Sequence, residues 1–251
     1  MRRILLVLLG LIVTGSVFGQ TKVTVYADDG YFPYSYMEGT SARGAYIDIV
    51  LAAAAQLKGY TVEIVPLPWK RCLNLMERGE AFAILPPYKR PGLRPWMDYQ
   101  LKLYDEKIVL FLNAQGPKMT RWPQDFVGKT VGEAAGWANL DAFRGQVKIE
   151  FAQSNKIGLL KLEAKRNDAY LMDETVGLLA IKELRAAGAI NAKTSFVIGP
   201  TVSTEEAFLS LTNVATAKFP FKNDFAKQMQ GILGRMTASG EIKKIVANYT
   251  N

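Results

Sequence analysis

The stretch VEIVPLPWKRCLNLMERGEAFAILPPYKRPGLRPWMDY, residues 62–99, decides the fold. Residues 62–67 form a largely apolar run stopped by Pro66 and Pro68, which reads as a buried strand. Trp69 follows at once. Residues 70–78 carry Cys72, Leu73 and Met76 at helical spacing, and Gly79 stands where a helix C-terminus takes a residue at positive φ. Residues 81–85 are a second apolar run, cut off by Pro86 and Pro87, which cannot continue a ladder. A strand, helix and strand of these lengths make a right-handed βαβ crossover with parallel strands. Ligands collect at the carboxyl ends of the strands in such sheets. Trp69 and the 88–94 loop emerge there.

An aromatic plate and a guanidinium on neighbouring loops suit a small ligand with an apolar body and a carboxylate. Arginine offers a fixed bidentate fork to a carboxylate, and an indole covers apolar or cationic groups. Two plainer roles compete on residue type alone. A tryptophan flanked by prolines also serves as a core plug, and Arg94 beside Lys89 and Arg90 also fits a solvated surface charge.

The same alternation continues on both sides of this unit. Residues 22–27 (KVTVYA) read as a strand ending in the polar and aromatic loop Asp28-Asp29-Gly30-Tyr31-Phe32-Pro33-Tyr34. Residues 45–57 show the i, i+3, i+4, i+7 pattern of a helix through Val50, Ala53, Ala54 and Leu57. Downstream, residues 107–113 look like a buried strand leaving the first unit, and Gln115-Gly116-Pro117 is a break. A second α/β series follows: a strand at 129–132, a loop through Gly136-Trp137, a helix near 139–143 and a strand at 147–152. It continues with a helix at 154–165, a strand at 169–172, and a helix at 174–187 opened by Asp173. Short strands at 196–198 and 207–211 precede two amphipathic helices, 225–236 and 241–249. Two α/β series with strands crossing between them imply two lobes around a cleft, where small-molecule sites gather.

Composition narrows the chemistry. The chain has 251 residues, enough for one large domain or two ordinary lobes. It has no histidine, which removes Ser-His, Cys-His and His-ligated metal chemistry. Cys72 is its single cysteine, so no internal disulfide forms, and no cofactor is expected. Residues 1–19 read as a cleavable signal peptide: Arg2-Arg3, an apolar run at 4–13, and a small-residue end at Gly19. That apolar run is too short to span a bilayer, which points to the periplasm. Loss of Arg2 and Arg3 lowers the formal charge from +8 to +6, with no dense basic run, so nucleic-acid binding is not expected.

With these stretches in place the chain resembles the periplasmic solute-binding proteins of ABC importers, polar amino-acid type (family 3). The matching segments are ADDGYFPYSY (27–36), GAYIDIV (44–50), VPLPW (65–69), MERGEAFAI (76–84) and PGLR (91–94). DFVGKTVGEAAG (125–136), AKRNDAYLMDE (164–174) and GRMTASGEIKKIVANY (234–249) match as well. The resemblance implies a type II periplasmic binding protein fold, two α/β lobes joined by hinge strands. Lobe 1 would take residues 20–111 and 205–251, and lobe 2 residues 112–204. It implies a small-molecule ligand, an amino acid or related carboxylate, handed by a monomeric receptor to the membrane permease of an ABC importer. It also assigns roles to residues. Tyr31 and Trp69 would stack on the ligand, Arg94 clamp its α-carboxylate, and Asp173 receive its α-ammonium. Asp28 would lie near the side-chain pocket, with amides around Gly136 and Trp137 facing the anion. Asp173 equally suits a plain helix N-cap.

Some positions depart from that pattern. Lys89 and Pro87 stand where relatives carry small hydroxyl residues, Trp137 replaces another, and Tyr46 replaces a frequent aspartate. Lys89 close to Arg94 would favour ligands with extra negative charge. Two rival readings follow from the same resemblance: a dehydratase-like periplasmic enzyme with Glu133 or Glu174 as general acid, and a ligand-binding sensor component.

Overall fold

The computed structural model describes residues 20–137 and 139–250. The signal peptide read at 1–19 lies outside the described residues. Strand β1 (Thr21–Asp28) turns Val23, Val25 and Ala27 into the core at every second position. The loop expected after it is a small antiparallel sheet of β2 (Gly30–Tyr31), β3 (Ser35–Glu38) and β4 (Ser41–Arg43). Helix α1 (Ala45–Ala54) starts directly against this sheet. Gly44 makes the start possible: its φ is 125°, and a Cβ there would lie 2.4 Å from the Tyr34 carbonyl oxygen. The Tyr46 N–H then donates to that same carbonyl at 2.9 Å.

Strand β5 (Tyr60–Leu67), helix α2 (Trp69–Glu77) and strand β6 (Ala83–Leu85) form the expected crossover. Both strands run parallel to β1, one on each side of it. β5 is nevertheless not a buried strand. It lies at the edge of the sheet with β1 as its one neighbour, so residues 61–67 stay half-buried or exposed. Trp69 is the first helical residue, and Gly79 ends the segment at φ 64° as expected.

The chain then runs through β7 (Met97–Asn113), β8 (Thr130–Ala134), β9 (Lys148–Ala152), α3 (Asn155–Glu163), β10 (Ala169–Asp173) and α4 (Glu174–Ala186). β11 (Phe196–Thr212), α5 (Lys222–Ala238) and α6 (Glu241–Thr250) complete it. Two expectations are corrected here. The segment near 139–143 is a single 3-10 turn, Asp141–Phe143, too short for an α-helix. The strands at 196–198 and 207–211 are one continuous strand of 17 residues. Its polar middle stays in the sheet because β7 pairs with it almost throughout, and register shifts around Ile198–Ser203 accommodate Pro200.

The large sheet has the order β5-β1-β6-β11-β7-β10-β8-β9. One lobe is built on β5, β1 and β6 with α1, α2, α5 and α6; the other on β10, β8 and β9 with α3 and α4. β7 and β11 belong to both. β6 meets β11 at Ser210 and Leu211, whereas β10 meets β7 at residues 108–111, so the pair changes lobes around Glu106 and Glu205, which face each other in register. Among the described residues no helix is long and apolar enough to cross a membrane.

Candidate functional site

The site residues arrive from the carboxyl ends of the strands. β1 ends in Asp28, β2 carries Tyr31, α2 opens with Trp69, and the segment after β6 supplies Pro86, Tyr88 and Arg94. From the facing lobe, the turn after β8 brings Gly136 and Trp137. These eight residues surround one small cavity of about 20 Å³. Six were expected from the sequence; Tyr88 and Pro86 were not. Asp28, Tyr31, Trp69 and Trp137 also line a second, larger cavity of about 420 Å³, together with residues 153–156 and Glu183.

Arg94 is 6% exposed. Its guanidinium lies 5.8 Å from the centre of the Trp69 ring and donates to the Gly136 carbonyl at 3.3 Å across the cleft. It forms no ion pair with a described carboxylate. Burial, and then Arg90, lowers its pKa, so its charge is held where solvation is poor. A buried cation without a counter-ion is expensive and is best matched by an anion brought in from outside.

Behind the aromatic walls lies Glu106, 1% exposed, on β7 at the lobe crossing. Three tyrosine hydroxyls donate to its carboxylate: Tyr31, Tyr46 at 2.5 Å and Tyr88 at 2.6 Å. Burial raises the Glu106 pKa to about 8 despite these bonds, with the charge of Asp173 adding to the rise. Burial and the Glu106 charge also push the three phenols well above their ordinary range, so all three stay protonated donors. Tyr46, an oddity in the sequence, is explained by this network, and its ring stacks on Tyr34 at 4.6 Å.

Asp173 is buried at the N-terminus of α4. Its Oδ1 accepts from the Val176 N–H at 2.9 Å and from the Tyr34 hydroxyl at 3.3 Å. It is thus the helix N-cap and a contact between lobes, and it does not line the small cavity. Burial raises its pKa to about 6. Lys89 is exposed and lines neither cleft cavity. Its neighbour Arg90 turns inward instead, to Glu205 at 2.6 Å and to Asn139 of the facing lobe at 2.7 Å. Arg90→Ala will lower unfolding free energy by roughly 1.5–3 kcal/mol, the worth of a charged hydrogen bond. Hydrogen exchange at Asn139 and Leu140 should quicken with it; unchanged exchange there would mean the loop is held by other contacts.

Glu106, Tyr88 and Arg90 went unread in the sequence. Glu106 stands before an apolar run and looks like its polar rim, and two of its partners lie 75 and 60 residues away. Trp69 does two jobs at once. It lies under Arg94 and against the cluster of Cys72, Met76 and Met97. Because it is only half-buried, Trp69→Ala should cost roughly 1–3 kcal/mol, below the roughly 3–5 of a core tryptophan. Denaturation of the variant without ligand measures this, and a loss near 5 would make Trp69 a core plug alone.

Two α/β lobes, two shared central strands and a cleft between them define the type II periplasmic binding protein architecture. Residues 23–251 match the family described as bacterial extracellular solute-binding proteins, family 3, and the chain belongs to it. No curated protein matches the chain. Among solved structures, it resembles a histidine kinase sensor domain described as similar to periplasmic binding proteins. The TM-score is 0.75 at 15% identity, covering 92% of this chain and 96% of that one. An ancestral amino acid-binding protein, AncCDT-1, described as a precursor of cyclohexadienyl dehydratase, gives 0.72 at 17%, covering 92% and 95%. The amino acid ABC transporter substrate-binding protein AbpA from Streptococcus pneumoniae, bound to L-arginine, gives 0.70 at 16%, covering 91% and 94%. Identities this low establish the common fold alone.

Proposed function

We propose that this chain is a periplasmic receptor that captures a small carboxylate-bearing metabolite, an amino acid or a close relative, and presents it to an ABC importer. Residues 1–19 would direct export and be removed. Arg94 carries the proposal: a guanidinium buried between the lobes, braced on Trp69 and lacking an ion-pair partner among the described residues, is built to receive an anion. Asp28, which lines both cavities, would face an ammonium or other polar group of the same ligand. Asp173 would act through Tyr34 and its helix rather than by direct contact.

The lobes would divide near residues 106 and 205, with β7 and β11 as the hinge, and the register shifts at Ile198–Ser203, just beside that crossing, support bending of the pair. Hinge closure over a ligand is the motion general to periplasmic binding proteins. Binding without turnover is favoured by the position of the candidate acids. Glu133 accepts from the Asn139 N–H at 3.0 Å and Glu174 pairs with Lys107 at 2.7 Å, and neither lines the cleft cavities.

The deciding experiment is calorimetric titration of residues 20–251 with amino acids and organic acids, paired with small-angle scattering. Binding of one carboxylate with a fall in radius of gyration, and the compound recovered unchanged, is the expected result. A compound converted during the titration would make the protein an enzyme, and no binding of any carboxylate would remove the receptor reading.

A further inference from the structure

The Gly136-Trp137 turn enters the cleft in an unusual way. The Trp137 indole sits edge-on to both Tyr31 and Tyr88, at 4.8 Å and 73° from the first ring and 5.5 Å and 79° from the second. The preceding carbonyl, that of Gly136, accepts from Arg94. One turn therefore offers the lobe opposite it an oxygen acceptor for the guanidinium and an aromatic ring for the tyrosine walls. Only about 20 Å³ is left beside them, too little for a metabolite.

The tyrosine walls are fixed and the turn is not fixed in the same way. Both hydroxyls donate to Glu106 behind the rings, which holds their oxygens 3.1 Å apart. The turn is anchored at its ends, by Ala135 N–H to the Ala152 carbonyl and Asn139 N–H to Glu133, and within it by one long bond, Trp137 N–H to the Ala134 carbonyl at 3.3 Å. Between those anchors Gly136 holds φ 91°, with no atom within 4 Å of where a Cβ would lie. Behind Trp137 lies the 420 Å³ cavity, bordered by Phe32, Ser154 and Asn155, with room to take the indole if it swings out.

We propose that Gly136 and Trp137 hold the places of the ligand's carboxylate and ring, so that the ligand is an aromatic carboxylate that displaces Trp137 as it binds. This rests on the receptor reading and on Arg94 as its carboxylate clamp. The ligand's carboxylate replaces the Gly136 carbonyl on Arg94, a stronger acceptor for a weaker one. Its ring replaces the indole between Tyr31 and Tyr88, keeping the edge-to-face contacts that aromatic pairs prefer. The turn is then an internal competitor, and apparent affinity is reduced by the fraction of time it occupies the site.

The test titrates residues 20–251 and its Trp137→Ala variant with tryptophan, phenylalanine and indole-3-acetate, and with glutamine and arginine as carboxylates lacking an aromatic ring. An aromatic carboxylate should bind the wild type and bind Trp137→Ala more tightly, by about tenfold for a competitor that occupies the site nine-tenths of the time. Weaker binding by the variant would make Trp137 a wall of the pocket and overturn the proposal. Binding of glutamine or arginine alone would also overturn it while leaving the receptor reading intact, and binding of none of the five overturns it and leaves the receptor reading to the wider titration. A second measurement does not depend on the variant. In 5-fluorotryptophan-labelled wild type, the Trp137 fluorine signal, assigned with Trp137→Phe, should shift when the aromatic carboxylate saturates the site. A signal that stays in place overturns the displacement.

Discussion

Glu106→Ala will cost roughly 3–5 kcal/mol of stability, because three buried hydroxyls lose their acceptor at about 1–3 kcal/mol each. Part of that loss is offset, since the wild type also has a carboxyl group to bury. Glu106→Gln keeps an acceptor oxygen and should lose much less. Urea denaturation of the three proteins gives the comparison, and a loss below about 1 kcal/mol in Glu106→Ala would mean the network carries little of the fold's stability. The pH dependence separates the two variants further. Burial raises Glu106 to about 8, Asp28 and Glu133 to about 7, and Asp173 to about 6. Each of these groups holds a proton more firmly folded than unfolded. Their contribution is complete below the ordinary carboxylate range and is lost as pH rises towards 8. The slope is about 1.4 kcal/mol per pH unit for each proton of difference. Glu106→Gln should flatten the decline between about pH 4.5 and 8, and an unchanged profile would show that Glu106 titrates normally.

Arg94→Lys should weaken ligand binding by roughly ten- to a hundredfold, the 1.5–3 kcal/mol of a charge-assisted hydrogen bond. Lysine keeps the charge and loses the planar fork, so a carboxylate that was held by two parallel bonds is held by one flexible ammonium. The stacking on Trp69 is lost as well. Stability without ligand should change little, or even rise, because the guanidinium makes a single hydrogen bond among the described residues and is poorly solvated. Calorimetry on the ligand found in the screen reads the effect. Equal affinities in wild type and Arg94→Lys would place the anion elsewhere in the cleft.

Much of the scaffold was legible because proline and glycine punctuate it. Pro68, Gly79 and Pro86 bound β5, α2 and β6 closely, although β5 runs through Pro66, and that unit alone implied strand ends converging on Trp69 and Arg94. The misreadings share a physical cause. Residues 199–206 (GPTVSTEE) have no strand pattern of their own; they are extended because β7 supplies partners from about a hundred residues earlier. The edge position of β5 is likewise set by strand order, which local periodicity does not encode. In the site, residue types were readable but directions were not. Lys89 is one position from Tyr88, yet the tyrosine enters the buried network and the lysine faces solvent. Asp173 suited both an ammonium partner and a helix cap, and the Val176 N–H at 2.9 Å shows the cap.

The shared central strands also dictate the order in which the molecule can be completed. β8, β9, α3, β10 and α4 are consecutive in the chain and find their partners among themselves and β7. The amino-terminal units have no such independence. β6 needs Ser210 and Leu211 beside it, Phe82 needs Phe219, Phe221 and Phe225, and α1 needs α6. During synthesis, the first hundred residues must therefore wait, with the open flank of β6 and an uncovered Phe82, until nearly the last ones have been made. A chain stopped short of residue 210 would close its middle and leave its beginning sticky, so a ribosome-held fragment of that length should be a strong client for a holdase chaperone.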